Sequence, residues 1–182
     1  MNTRTYARLL CCSVMIALAA SSLWAQSPTP SLAHELMATW EWVAGNMIDV
    51  ANAMPEERYD FKPTPEVRTF RKQLVHVADT VQRFIDAANG IKGASDSPAA
   101  PTAKADVVRL LTERFQAGKA VIGSLTDAQM VEPVRFPFGD WMVPRYGFWM
   151  GPLLDAADHY GQLVIYLRLN GIVPPATARR AR

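Results

Sequence analysis

Four long stretches of this chain repeat apolar residues every three or four positions, and that rhythm restricts the fold more than any other feature. An α-helix gathers i, i+3, i+4 and i+7 onto one face, so each stretch must bury that face against another element. The first runs from about Leu32 to Ala53, with Leu36, Trp40, Val43, Met47 and Val50 in step. It stops ahead of Met54-Pro55, because proline has no amide proton and disfavours helix in the residue before it. The second runs from about Thr69 to Ala88 and buries Phe70, Leu74, Val77, Val81, Phe84 and Ala88. Thr69 is a suitable N-cap, and Thr64 followed by Pro65 is an equally good start signal. The third, about Ala103 to Ser124, turns Val107, Leu110, Leu111, Phe115, Ile122 and, less regularly, Ala120 inward. The fourth begins near Phe148 or Gly151 and ends at Asn170, where Gly171 tolerates a left-handed backbone and Pro174-Pro175 cannot continue the helix.

The connectors differ in character. Residues 56–65 contain two X-Pro steps that favour extended backbone, and 90–105 is a Gly/Ala/Ser/Pro linker, long for an antiparallel turn and able to cross the end of a bundle. Thr126-Asp-Ala-Gln129 has capping-box spacing. Val134 to Tyr146 is aromatic, alternating and broken at Gly139-Asp140, which predicts a hairpin or ordered loop; Pro137 and Pro144 keep it out of a central strand. Together these elements predict an all-α protein: a four-helix bundle spanning 32–175, with a long connection between helices 2 and 3 and a small aromatic loop or hairpin before helix 4.

The N-terminus reads as a separate segment. Arg4 and Arg8 precede the apolar run Leu9–Leu23, and Leu23-Trp-Ala25 precedes a polar, proline-containing stretch, the pattern of a secretory signal over 1–25 followed by a linker at 26–31. An uncleaved anchor is the rival reading, but the run is short for a span of about 20 residues. The expectation is an exported protein, periplasmic or extracellular, with no stable membrane span after cleavage. Both cysteines, Cys11 and Cys12, fall inside the signal, so the mature chain has no disulfide, thiolate nucleophile or cysteine metal ligand. The whole chain has 19 Lys+Arg against 17 Asp+Glu; losing Arg4 and Arg8 leaves no net charge. A nucleic-acid ligand is therefore not expected, and the basic residues of 176–182 read as a flexible, solvated tail.

Chemistry concentrates on few residues. The mature chain has three histidines, His34, His76 and His159. In the fourth helix Asp155, His159, Gln162 and Tyr166 share one stripe at i, i+4, i+7 and i+11. Asp155 and His159 can supply two metal ligands and His76 a third, leaving positions open for water or substrate. On spacing alone a plain hydrogen-bonded contact between helices is the simpler reading, and His76 lies away from the centre of the Phe70/Leu74/Val81 face. His34, next to a linker, reads as a surface residue. Arg68 and Lys62 can bind an anion or pair with Asp60 and Glu66; Trp40, Trp42, Trp141 and Trp149 can line a pocket or fill the core, as expected at least of Trp40. No nucleophilic triad and no glycine-rich phosphate loop is legible.

Two blocks carry a family resemblance. Met54-Pro-Glu-Glu-Arg-Tyr-Asp-Phe-Lys-Pro-Thr-Pro-Glu-Val-Arg-Thr-Phe70 with Leu74-Val-His76-Val-Ala, and His159-Tyr-Gly-Gln-Leu-Val-Ile-Tyr-Leu-Arg-Leu-Asn-Gly-Ile-Val-Pro-Pro175, resemble the DinB family, whose fold is shared with bacterial thiol S-transferases. The resemblance implies a four-helix bundle and a divalent metal held by three histidines, one on the second helix and two four apart on the fourth. His76 and His159 match; the remaining position is Asp155. The implied centre is two histidines and one carboxylate binding zinc, nickel, iron or manganese, with Gln162 and Tyr166 orienting the ligands or the substrate and Phe136–Tyr146 as a lid or pocket wall. Low-molecular-weight thiols are cytosolic, which sets an exported member apart from the thiol transferases.

The expected function is that of an exported, metal-dependent hydrolase or transferase acting on a small molecule, and the resemblance also allows a homodimer. The alternative is a metal-free binding or stress-related module in which the polar stripe only fixes helix packing.

Overall fold

The computed structural model describes residues 31–91 and 101–181. Helix α1 (Leu32–Ala53) is followed by a 3-10 turn at Glu56–Arg58, then α2 (Phe70–Ala88), α3 (Lys104–Gly123), a short α4 (Asp127–Met130), strands β1 (Pro133–Arg135) and β2 (Met142–Pro144), the long α5 (Arg145–Leu169) and a terminal α6 (Pro175–Arg180). The expected signal and all of its linker but Ser31 lie outside the described residues. Ser31 caps α1 by accepting from the His34 amide, and its hydroxyl donates to Asp127, which also accepts from the Ala33 amide. Thr69, not Thr64, caps α2. Thr126 and Gln129 form the expected capping box.

Each of α1 and α2 packs against both α3 and α5, so the four long helices close a bundle in which α1 and α2 are diagonal. Their directions follow from a few contacts at one end. Tyr59 donates to the Ala51 carbonyl and lies edge-on to Phe70, which brings the start of α2 to the end of α1. Lys104 donates to the Asn52 and Met54 carbonyls and lies over the Tyr59 ring, which brings the start of α3 to the same place. Helices α2 and α3 are therefore parallel, and the connector 89–103 joins opposite ends of the bundle. That is why it is long. Ring contacts of Phe84 with Phe148, and the bond from Tyr166 to Arg68, show α5 antiparallel to α2.

The core is aromatic at its centre. Trp40 and Trp149 are each 1% exposed and meet edge-to-face, and the Trp40 indole N–H donates to the Phe115 carbonyl. The four expected tryptophans thus split: Trp42 and Trp141 are exposed. On α3 the inward residues are Val107, Leu111, Phe115, Gly118 and Ile122. Ala120 points to solvent, because Gly118 occupies the place where the Trp40 indole presses on the helix.

Two local readings are corrected, and the expected hairpin forms. Helix α5 begins at Arg145, ahead of the expected Phe148 or Gly151, and carries Pro152 inside it. Burial of Phe148, Trp149 and Pro152 against the bundle outweighs the missing proline amide. The hairpin forms as an antiparallel pair, Pro133 with Pro144, Val134 with Val143 and Arg135 with Met142, and extends to a bond from the Phe136 amide to the Trp141 carbonyl. The expected flexible tail includes α6, which Pro175 starts and Arg179 ties to α1 through Asp49 and Asn46.

Candidate metal centre

Helices α2 and α5 meet along a seam with a polar residue at each turn. Gln73, His76 and Thr80 occupy i, i+3 and i+7 of α2; Asp155, His159 and Gln162 occupy i, i+4 and i+7 of α5. Because the helices run in opposite directions, the two stripes pair in reverse order. Thr80 serves Asp155, the His76 and His159 rings meet at 4.8 Å, and the Gln73 amide donates to Gln162 at 2.7 Å.

The centre of the seam joins the three residues expected to form a site. Nε2 of His76 lies 3.5 Å from Oδ1 of Asp155, and Nε2 of His159 lies 3.6 Å from the same oxygen. One potential ligand atom from each of the three falls within 4.8 Å of the other two. The objection that His76 lay off the buried face of α2 fails because α2 touches two neighbours; its buried surface is wide, and its edge turns His76 toward α5. His159 is buried, whereas His76 and Asp155 keep about a quarter of their side-chain surface exposed, so the site opens to solvent on one side.

The electrostatics keep the group in its ligand form. Burial opposes ionisation of Asp155, but the adjacent His76 and His159 imidazoles and the Thr80 hydroxyl together hold its carboxyl below the usual carboxylate range. Thr80 in turn accepts from Arg83 at 3.1 Å. Burial pushes His159 down, more than the neighbouring Asp155 pulls it up, with His76 and Arg68 adding to the fall. A lowered imidazole and an ionised carboxylate are the protonation states that bind cations.

The outer expected residues separate. Gln162 belongs to the seam, with its amide nitrogen donating to Asp158 at 2.8 Å. Tyr166 is a structural anchor: its hydroxyl donates to the Arg68 carbonyl at 2.7 Å and its ring packs against Phe61 and Phe70. Asp60 pairs with Arg71, and Lys62 donates to the Pro65 carbonyl, so neither expected pairing of Lys62 or Arg68 with these acids forms. His34 is exposed, as expected. The hairpin aromatics pack on Phe84, with Phe136 stacked on Trp141, and the small cavity beneath them is lined by Val134, Phe148 and Trp149 among others, not by the triad. Gln73 and Thr80 are the two site residues that sequence reading missed; their spacing from His76 was the available signal.

A bundle in which two parallel helices are joined end to end by a long connector, with a His/His/Asp group across the α2–α5 seam, defines a helical-bundle protein with a group able to hold a metal ion. The DinB superfamily model matches residues 39–163, and the chain belongs to that superfamily. Its fold is similar to that of a DinB-like protein from Bacillus cereus, at 18% identity and a TM-score of 0.66 over 77% of this chain and 93% of that one. It is also similar to a DinB-like protein from Bacillus subtilis (13% identity, TM-score 0.60, 75% and 92% covered) and to a conserved protein from Enterococcus faecalis (15%, 0.56, 78% and 98%). No curated protein matches the chain.

Proposed function

We propose that this chain is an exported hydrolase or transferase that acts on a small molecule through a divalent ion, zinc, nickel, iron or manganese, held by His76, Asp155 and His159. One observation carries the reading. Both imidazole nitrogens lie 3.5–3.6 Å from a single carboxylate oxygen, long for a hydrogen bond. Donors at about 2.0–2.2 Å from a tetrahedral ion are separated by roughly 3.3–3.6 Å. Oδ2 of Asp155 is also buried without a hydrogen-bond partner, as suits a carboxylate whose stabilising partner is a cation nearby.

When bound, an ion with three protein ligands and an open position can polarise a carbonyl or lower the pKa of a coordinated water. The protein residues have separable tasks. Asp155 supplies a negative ligand in place of the third neutral imidazole that the family resemblance implies, which disfavours soft ions and leaves a bound water less acidic. Thr80, itself bonded by Arg83, supports the Asp155 carboxylate. His76 and Asp155, at the exposed side of the seam, are the residues a substrate meets first. The opening lies between two helices, which suits a small substrate. Export is supported by the Arg4/Arg8, apolar and Ala25 pattern, and N-terminal sequencing of the protein recovered outside the cytoplasm tests it.

Metal analysis of the purified mature protein and of His159→Ala decides the central claim. About one ion per chain, lost in the variant, supports it; no ion in either leaves the metal-free binding module.

A further inference from the structure

We infer that Gln73 is a positioning residue of this centre, supplying the buried acceptor for the Nδ1–H of His159. The inference rests on the metal reading above and assigns a role to a residue outside the ligand set.

Gln73 is 2% exposed, and its carbonyl oxygen is buried with no donor. Its orientation follows from the chain of amides it ends. The Asp158 carboxylate can only accept, so Gln162 turns its nitrogen to Asp158 and its oxygen to Gln73, and Gln73 must present its own nitrogen to Gln162. The Gln73 oxygen is thereby left as an acceptor without a partner, a state that ordinarily costs about 1–3 kcal/mol. One turn away on the same seam lies a matching orphan. Nε2 of His159 faces Asp155, and Nδ1, the far nitrogen, is buried without a partner.

Without a cation, the proton of a neutral His159 belongs on Nε2, facing the Asp155 oxygen. Presenting Nε2 as a ligand requires that this proton leave to solvent and that one be taken up at Nδ1, with no net change in charge. The new Nδ1–H is inside the protein and needs an acceptor; histidine ligands commonly find one in a carbonyl or carboxylate. Asp155 Oδ2 is also unpaired but belongs to the ligand set, so Gln73 Oε1 is the acceptor left for this proton, directly or through one buried water.

The test uses the mature chain titrated with zinc, Gln73→Leu, which removes the acceptor, and Gln73→Glu, which keeps one. The expected result is zinc binding weakened 10–100-fold in Gln73→Leu and retained in Gln73→Glu. Nitrogen-15 spectra of the zinc-loaded protein should show His159 protonated at Nδ1, with a slowly exchanging proton that Gln73→Leu loses. Zinc binding and an Nδ1–H signal in Gln73→Leu that match the unsubstituted protein overturn the inference, as does an Nε2–H form of His159 in the zinc-loaded protein, which needs no variant. An unsubstituted protein that takes up no zinc, nickel, iron or manganese overturns the metal reading itself and this role with it.

Discussion

Trp40 of α1 lies over Gly118 of α3 so closely that a Cβ at 118 would fall 2.8 Å from Cη2 of the indole and closer still to Cζ2. The indole cannot easily retreat, since its N–H is bonded to the Phe115 carbonyl and its rings abut Phe115 and Trp149. Gly118→Ala is therefore expected to destabilise the fold by about 1–3 kcal/mol despite alanine's better helix propensity. Urea unfolding checks this; a variant as stable as the parent contradicts the close packing.

Tyr166 separates structure from chemistry. Tyr166→Phe keeps the ring contacts and removes the bond to Arg68, so stability should fall by about 1 kcal/mol while metal binding is unchanged. Equilibrium unfolding and metal titration of the same preparation read the two effects. A large loss of metal binding would restore Tyr166 to the site.

Sequence periodicity was enough for α1, α2, α3 and the end of α5, because each has a continuous apolar stripe or a strong stop signal. It misplaced the start of α5, where Pro152 resembles a first-turn proline and only packing of Phe148 and Trp149 extends the helix back to Arg145. Gly118 was invisible for a related reason: a glycine within a helix looks like a weakness until the partner helix brings a tryptophan to it. The ligand set of the candidate site was legible on α5, where Asp155 and His159 lie four apart. Gln73 and Thr80 were not, because α2 was assigned one buried face and its contact with a second neighbour makes two.

Asp155→His recreates three imidazoles. Zinc and nickel should gain over manganese by at least about tenfold, equivalent to ~1.4 kcal/mol, as a softer, neutral ligand replaces a carboxylate. Competition titrations with paired metals measure the ratio. An unchanged ratio would mean that residue 155 does not touch the ion.

Acid should loosen the seam in the metal-free protein. His159 has a folded pKa below its unfolded value, so the unfolded chain takes the proton first, and stability present above about pH 6.5 declines as pH falls through that value toward the folded one. The lowered Asp155 pKa acts in the same direction at more acidic pH: its contribution is present above the unfolded carboxylate value and lost as pH falls through the folded one. Denaturant midpoints measured across this range should fall with pH, and His159→Gln should flatten the upper part of the curve. Midpoints that rise on acidification contradict both directions.

The parallel course of α2 and α3 sets a minimum length for the chain between them. A helix of this size spans about 30 Å, and an extended backbone needs roughly nine residues to cover that distance. Residues 89–103 exceed this minimum, so trimming a few of them leaves the topology open, whereas replacing them with a tight turn would compel α3 to reverse and carry Lys104 away from Tyr59. A shortening series would thus convert connector length into a switch between two bundle topologies.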